Sequence, residues 1–303
     1  MEYLYILIAV SGIGGLFVLS KVYQTKYGNG PKALLAFSVW FAVGGFLFSF
    51  FVNECKIDFA YITLLLSLVV ALTIGFDNVA GVIAFKYCKM SLYTTFILAG
   101  GMVIPSLIGV AFLNETMSVW RILGLITVIV ALIIPVFEKT GERTKKIGLL
   151  LCVAVFVSNG FNNVASKLHQ INTNALSTQD FLIWVNIWYF VLSLAFSIGY
   201  FLLNRNKKNE FQCTDSEKSS FDLKKMLIPI LLILIIAVVN GVGQSFNLLA
   251  AKTVDASLLY PLITGGTMVL SAVCGRLFFK EKISKYNAIS LIFAILGTIL
   301  FVL

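Results

Sequence analysis

The sequence predicts an all-α integral membrane protein of ten transmembrane helices arranged as two inverted five-helix repeats. Three observations lead there. The chain is 59% hydrophobic and only 12% charged over 303 residues, whereas about a quarter of residues are charged in soluble domains. Its apolar segments are each roughly 20 residues long, the length a helix needs to cross about 30 Å of hydrocarbon. Finally, residues 75–137 lie on 241–303 without a gap at a constant offset of 166, with 18 of the 63 positions identical. The identities include Lys86/Lys252, Ser91/Ser257, Gly100/Gly266, Gly109/Gly275, Glu115/Glu281 and Ser118/Ser284, which apolar composition alone would not align. A transmembrane barrel would instead alternate polar and apolar residues in segments of about ten, and no such period is present.

The first span, 2–22, lacks a basic n-region and a small-residue cleavage site, so it is expected to be retained rather than cleaved as a signal peptide. The second and seventh, 33–52 and 180–203, carry Trp40 and Trp184, which could supply flat apolar walls or lie against lipid. The third, 60–86, holds one acid, Asp77, followed by Asn78. The fourth and ninth, 91–113 and 255–279, contain Gly100, Gly101, Pro105 and Gly109 and, correspondingly, Gly265, Gly266 and Gly275, where missing side chains allow close contact or a kink. Tyr93 and Tyr260 stand early in these two spans. The fifth and tenth, 119–137 and 286–303, begin after Glu115 with Ser118 and Glu281 with Ser284. Serine is a good N-cap and a carboxylate is favoured by the positive helix end, so turn chemistry is the first reading of both pairs. The sixth, 146–167, places Asn159, Asn163 and Ser166 on one face, and the eighth, 226–251, places Asn240, Gln244 and Asn247 at i, i+4 and i+7. Residues 204–225, between the seventh and eighth spans, mix charges at low hydrophobicity and read as a solvated linker.

The duplication reaches further forward, because the run from Ser20 and Lys21 to Gln24 resembles the run from Ser166 and Lys167 to Gln170. Each half, 1–145 and 146–303, therefore holds five spans. An odd number of crossings makes the second half enter the membrane from the opposite side, as in many inverted-repeat transporters. Of the 23 basic residues, 19 fall in or beside the odd-numbered connections between spans and four in or beside the even-numbered ones. The positive-inside rule then puts the odd connections in the cytoplasm and both termini outside the cell membrane.

Ten spans in two halves, a Ser-Lys pair ending the first span of each half, and Leu113-Asn114-Glu115-x-x-Ser118 and Phe279-Lys280-Glu281-x-x-Ser284 turns resemble the drug/metabolite transporter superfamily, EamA type. The resemblance covers nearly the whole chain. It implies a secondary transporter whose cavity is lined by the first four helices of each half, with the fifth and tenth at the periphery. One departure is Asn114, where the family usually has a glycine before the glutamate.

An aspartate near the bilayer centre costs about 2.5 to 3.5 kcal/mol on insertion scales, so it faces the bundle interior and marks a substrate or proton pathway by default. Asp77 is thus the candidate for binding a proton or a cationic substrate group; the alternatives are a structural hydrogen bond or a shallow position with Lys86 or Lys89 as partner. The candidate substrate site comprises Asp77, Asn78, Asn159, Asn163, Asn240, Gln244, Asn247, Tyr93 and Tyr260. Amides facing lipid would lack partners, so both stripes must point inward; a purely structural role remains open, since interhelical amide bonds average about 0.6 kcal/mol. Asn78 and Gln244 occupy equivalent repeat positions. Lys21 and Lys167 are expected to snorkel at span ends or cap carbonyls, and His169, the one histidine, has no visible companion.

These residues point to a transporter for a small organic solute: an amino acid, metabolite or drug-like amphiphile, with efflux expected and proton coupling at Asp77. Uptake of a sugar or nucleoside is the alternative, and a scaffold or channel subunit a third. An enzyme is not expected, because one histidine and one intramembrane acid cannot supply acid–base pairs or a metal site. The five cysteines are scattered without a CxxC pair. No P-loop, cofactor, metal or nucleic-acid partner is expected; the partners are the solute and the lipid bilayer, with the chain a monomer or a homodimer.

Overall fold

The computed structural model describes residues 2–28, 30–84, 87, 90–137, 146–205, 223–279 and 285–302. Among these residues every secondary-structure element is a helix. The helices are α1 (Glu2–Tyr27), α2 (Pro31–Val52), α3 (Tyr61–Ala84), α4 (Met90–Phe112), α5 (Val119–Ile133), α6 (Lys146–Ile171), α7 (Thr178–Arg205), α8 (Leu223–Thr253), α9 (Ala256–Phe279) and α10 (Lys285–Val302). They correspond one for one to the predicted spans. Eight are long and apolar enough to cross a membrane; the apolar cores of the other two are shorter, Val119–Ile133 and Ala288–Phe301. Lys86, Lys89, Cys88, Cys213, Glu281, Ser284 and most of the 204–225 linker lie outside the described residues.

The shortening of α5 has a local cause. Pro135 has no N–H to return to Ala131, so the α-helix stops at Ile133 and gives way to a 3-10 turn over Ile134–Phe137. The carbonyl of Ala131 is not left bare: it accepts the Ser290 hydroxyl of α10 at 2.6 Å. At the other end Ser118 caps the helix, accepting the Arg121 amide at 3.2 Å as its residue type predicts.

Packing pairs follow a pattern. Helix α1 packs on α8 and α9, and α2 on α8; α6 packs on α3 and α4, and α7 on α3; α2 meets α7, α4 meets α9 and α5 meets α10. Exchanging α1–α5 with α6–α10 in order leaves that set unchanged. The match extends to single residues. A Cβ on Gly14 would meet Leu270 and one on Gly160 would meet Ile104; Gly266 faces Val10 and Gly100 faces Phe156. Each pair converts into the other under the offsets of 146 and 166 read from the sequence.

The distribution of side-chain size is inverted relative to a soluble protein. Alanine and serine fill fully buried positions such as Ala9, Ala42, Ala71, Ser67 and Ser106, while Leu150 is 72% and Phe112 78% exposed. Small residues let helix backbones approach, which is the source of packing energy where apolar side chains gain nothing by leaving lipid.

Candidate functional site

Where α3 crosses α6, Asp77 lies one helical turn beyond Thr73, whose carbonyl accepts the Ser158 hydroxyl of α6 at 3.4 Å. Oδ1 of the Asp77 carboxylate is buried and has no hydrogen-bond partner. The backbone carbonyl of Asp77 accepts the Tyr93 hydroxyl from α4. The equivalent crossing in the other set of helices, α1 on α8, contains none of this chemistry: a Cβ on Gly12 would come within 2.5 Å of Gly243 Cα and 2.9 Å of the Val239 carbonyl. Gly12, Gly243 and Val239 are the repeat counterparts of Ser158, Asp77 and Thr73. One crossing is closed by backbone contact; the other carries a carboxylate.

The amides of α6 are engaged differently. Asn159 Nδ2 donates to the carbonyl of Ile97 at 2.8 Å and Asn163 Nδ2 to that of Gly101 at 2.6 Å, both in α4. Gly101 makes the room, since a Cβ there would lie 2.5 Å from Asn159 Nδ2. Its carbonyl is free to accept because Pro105, four residues on, has no N–H to offer. The Tyr260 hydroxyl from α9 donates to the backbone carbonyl of Asn163 at 2.7 Å. These three side chains thus tie α4, α6 and α9 together.

On α8, Asn247 Nδ2 donates to Gln244 Oε1 at 3.2 Å, leaving Asn247 Oδ1 buried without a partner, and Asn240 Oδ1 is likewise buried and unpartnered. Asn78 does not face Gln244 in any hydrogen bond; it donates to the Tyr189 hydroxyl of α7 at 2.8 Å. Trp184 lines no wall: its indole N–H donates to the Asp58 carbonyl at 3.0 Å and its ring packs edge-on to Phe59 at a helix end. The candidates therefore fall into four groups, at the α3–α4–α6 crossing, at the α4–α6–α9 junction, along α8 and, for Asn78 alone, at the α3–α7 contact. Unsatisfied acceptors remain in the first and third.

Several residues with polar roles were invisible in the sequence reading. Ser158 sits one position off the Asn159 stripe, and only its alignment with Gly12, opposite the Asp77/Gly243 match, would have revealed it. His169 has companions after all: it is buried, bonded through Nε2 to Thr63 Oγ1 and through Nδ1 to Gln170 Nε2, both at 3.0 Å, and stacked on Phe181. Asp180, also buried, accepts from Asn53 Nδ2 at 2.9 Å, the Asp58 amide at 3.1 Å and the Ser177 hydroxyl at 2.6 Å. Both networks fasten the ends of α3, α6 and α7.

Lys167 caps carbonyls as expected, donating to those of Ala251 at 2.8 Å and Val254 at 2.6 Å. Glu115 does not serve the N-terminus of α5 beside it. Its carboxylate accepts the amides of Ala256 and Ser257 at 2.7 and 2.9 Å, the first turn of α9. The reason is local backbone shape: Asn114 adopts φ +54°, a left-handed turn that suits glycine and, among other residues, asparagine best, and it directs Glu115 away from its own helix.

Comparison with known proteins agrees with this architecture. The model of the EamA-like transporter family matches residues 146–303, a little over half of the chain. A protein of known crystal structure aligns with a TM-score of 0.71 over 99% of this chain and 98% of that one at 14% identity, a likeness that carries the fold alone. No curated protein matches the sequence. With its long apolar helices, the chain is a multi-pass membrane protein that belongs to the EamA-like transporter family, within the drug/metabolite transporter superfamily.

Proposed function

We propose that the protein is a secondary transporter that moves a small organic solute across the cell membrane by alternating access between two inverted five-helix halves, 1–145 and 146–303. The observation that carries the reading is the unpartnered Oδ1 of Asp77 inside the bundle of a transporter-family chain. A buried carboxylate oxygen without a donor costs more than a made hydrogen bond returns, so a donor is expected to arrive there during the cycle. A proton or the ammonium of an amino acid, metabolite or drug-like amphiphile meets that need, with efflux as the direction.

The spare acceptors of Asn240 and Asn247 favour a second reading, uptake of a sugar or nucleoside whose hydroxyls donate to amide oxygens. Asn159, Asn163, Tyr93 and Tyr260 contribute by shaping the site, since their donor groups are spent on backbone carbonyls. Asn78 and Gln244 complete the polar interior. All ten helices cross in this reading: α5 with its 3-10 turn reaches about 30 Å and α10 about 27 Å at the usual rises.

A ligand-induced melting shift of the purified protein tests it, with amino acids, sugars, nucleosides, amines and cationic dyes each in excess. Amines or amino acids that shift the wild type and leave Asp77→Asn unmoved support the first reading; sugars or nucleosides that shift both support the second. Wild-type transport by Asp77→Asn removes the carboxylate from the mechanism.

A further inference from the structure

The turn between α8 and α9 is gripped from both sides by charge. Glu115, reaching from the α4–α5 turn, places both carboxylate oxygens on the first two amides of α9. Lys167, reaching from α6, places its ammonium on the carbonyl of Ala251 in the last turn of α8 and on that of Val254 just beyond it. An anion on the positive end of one helix and a cation on the negative end of the preceding one are the two favourable arrangements of helix-terminus electrostatics, used here at adjoining residues. Arg121, on α5, adds a bond to Asp255 Oδ2 at 3.1 Å in the same turn. Lys167 is 6% exposed, so its bonds are made away from bulk solvent, where a charge-assisted pair is strong and its loss costly.

The clasp spans elements that must separate if this end of the molecule opens. Glu115 and Arg121 belong to the first half, the α8–α9 turn and Lys167 to the second, and α6 packs on both α4 and α8. Room for the Glu115 carboxylate is provided by Gly109 of α4, where a Cβ would collide with it. The sequence repeats these parts, Glu115 as Glu281, Gly109 as Gly275, Ser257 as Ser91 and Lys167 as Lys21. Duplication has preserved them although neither Asp77 nor its site is duplicated.

We propose that Glu115 and Lys167 are the gate at the α8–α9 end of the translocation path: while both hold the turn, this end is shut, and opening it requires the Glu115 carboxylate to leave the α9 amides. This rests on the transporter reading above, and its test does not need the substrate. In a cysteine-free background, a reporter cysteine at Gln244 is labelled with a membrane-impermeant maleimide from either side of the membrane, and a second reporter at Thr253 identifies which side faces the α8–α9 turn.

Glu115→Gln, which keeps the shape and one acceptor, and Lys167→Met are each expected to raise labelling at Gln244 from the Thr253 side. The rise is about tenfold, the effect of removing one charge-assisted hydrogen bond from one of two states. Lys167→Arg restores the wild-type rate. Unchanged labelling in Glu115→Gln, or an equal rise from both sides, overturns the gate and leaves Glu115 a packing residue. A one-sided rise in a protein that moves no solute would sustain the gate and defeat the transporter reading; solute transport with no rise does the reverse.

Discussion

Asp77 and Gly243 occupy the same place in the duplicated sequence, and only the first of them carries an ionisable side chain. Gly243 lets α1 and α8 touch backbone to backbone; Asp77 brings to the α3–α6 crossing a carboxylate with one buried oxygen left without a partner. Asp77→Asn retains the volume and removes the charge, so it should reach the membrane yet lose or uncouple transport, measured as solute flux in proteoliposomes. Asn163 presents a different case. Its amide satisfies the Gly101 carbonyl freed by Pro105. Asn163→Ala leaves that buried acceptor bare, at a cost of about 1–3 kcal/mol in thermal or denaturant unfolding. Adding Pro105→Ala should return most of it, because the new amide at 105 can bond to Gly101, and the non-additivity is read from a double-mutant cycle.

The elements are held at points where a side chain is missing. At Gly100, a Cβ would collide with the Phe156 carbonyl of α6, a backbone atom that cannot rotate away. Gly199 in α7 has nothing within 4 Å of the same position. Gly100→Val should therefore abolish accumulation of folded protein, followed by size-exclusion of a detergent extract, whereas Gly199→Val should change stability by no more than about 0.5 kcal/mol. Equal losses in the two variants would remove close packing as the organising force. The α5–α10 pair shows the same economy, with Gly124 against Gly297 and Ser290 closing the carbonyl that Pro135 leaves open.

For the whole molecule, the testable quantity is orientation. Nineteen of 23 basic residues lie in or beside the odd-numbered connections, so the positive-inside rule predicts that both termini and the α8–α9 turn lie outside. A fluorescent protein that matures only in the cytoplasm should stay dark when fused after Leu303 and fluoresce when inserted in the 204–225 linker. The reverse pattern would invert the topology and with it the side on which the Glu115 gate acts.

How much was legible in the linear chain follows from the range of each interaction. Helix number and approximate bounds depend on apolar length, and the register match between 75–137 and 241–303 reappears in the packing pairs; both are properties of neighbours in sequence or of two aligned strings. Asp77 stood out because burying a charge in an apolar run is costly wherever the run packs. What Asn163, Ser158, His169 and Glu115 do was decided only by the tertiary structure. Amides, hydroxyls, imidazoles and carboxylates bond over about 3 Å, so their partners are set by which helix arrives beside them, and the α4–α6, α3–α6 and α4–α9 approaches bring together residues some 60 to 140 positions apart. The stripe of asparagines on α6 looked like a ligand site because an inward polar face is all that periodicity can express. Packing assigned two of its members to the backbone of α4 and, among the candidate residues, left unsatisfied acceptors on α3 and α8.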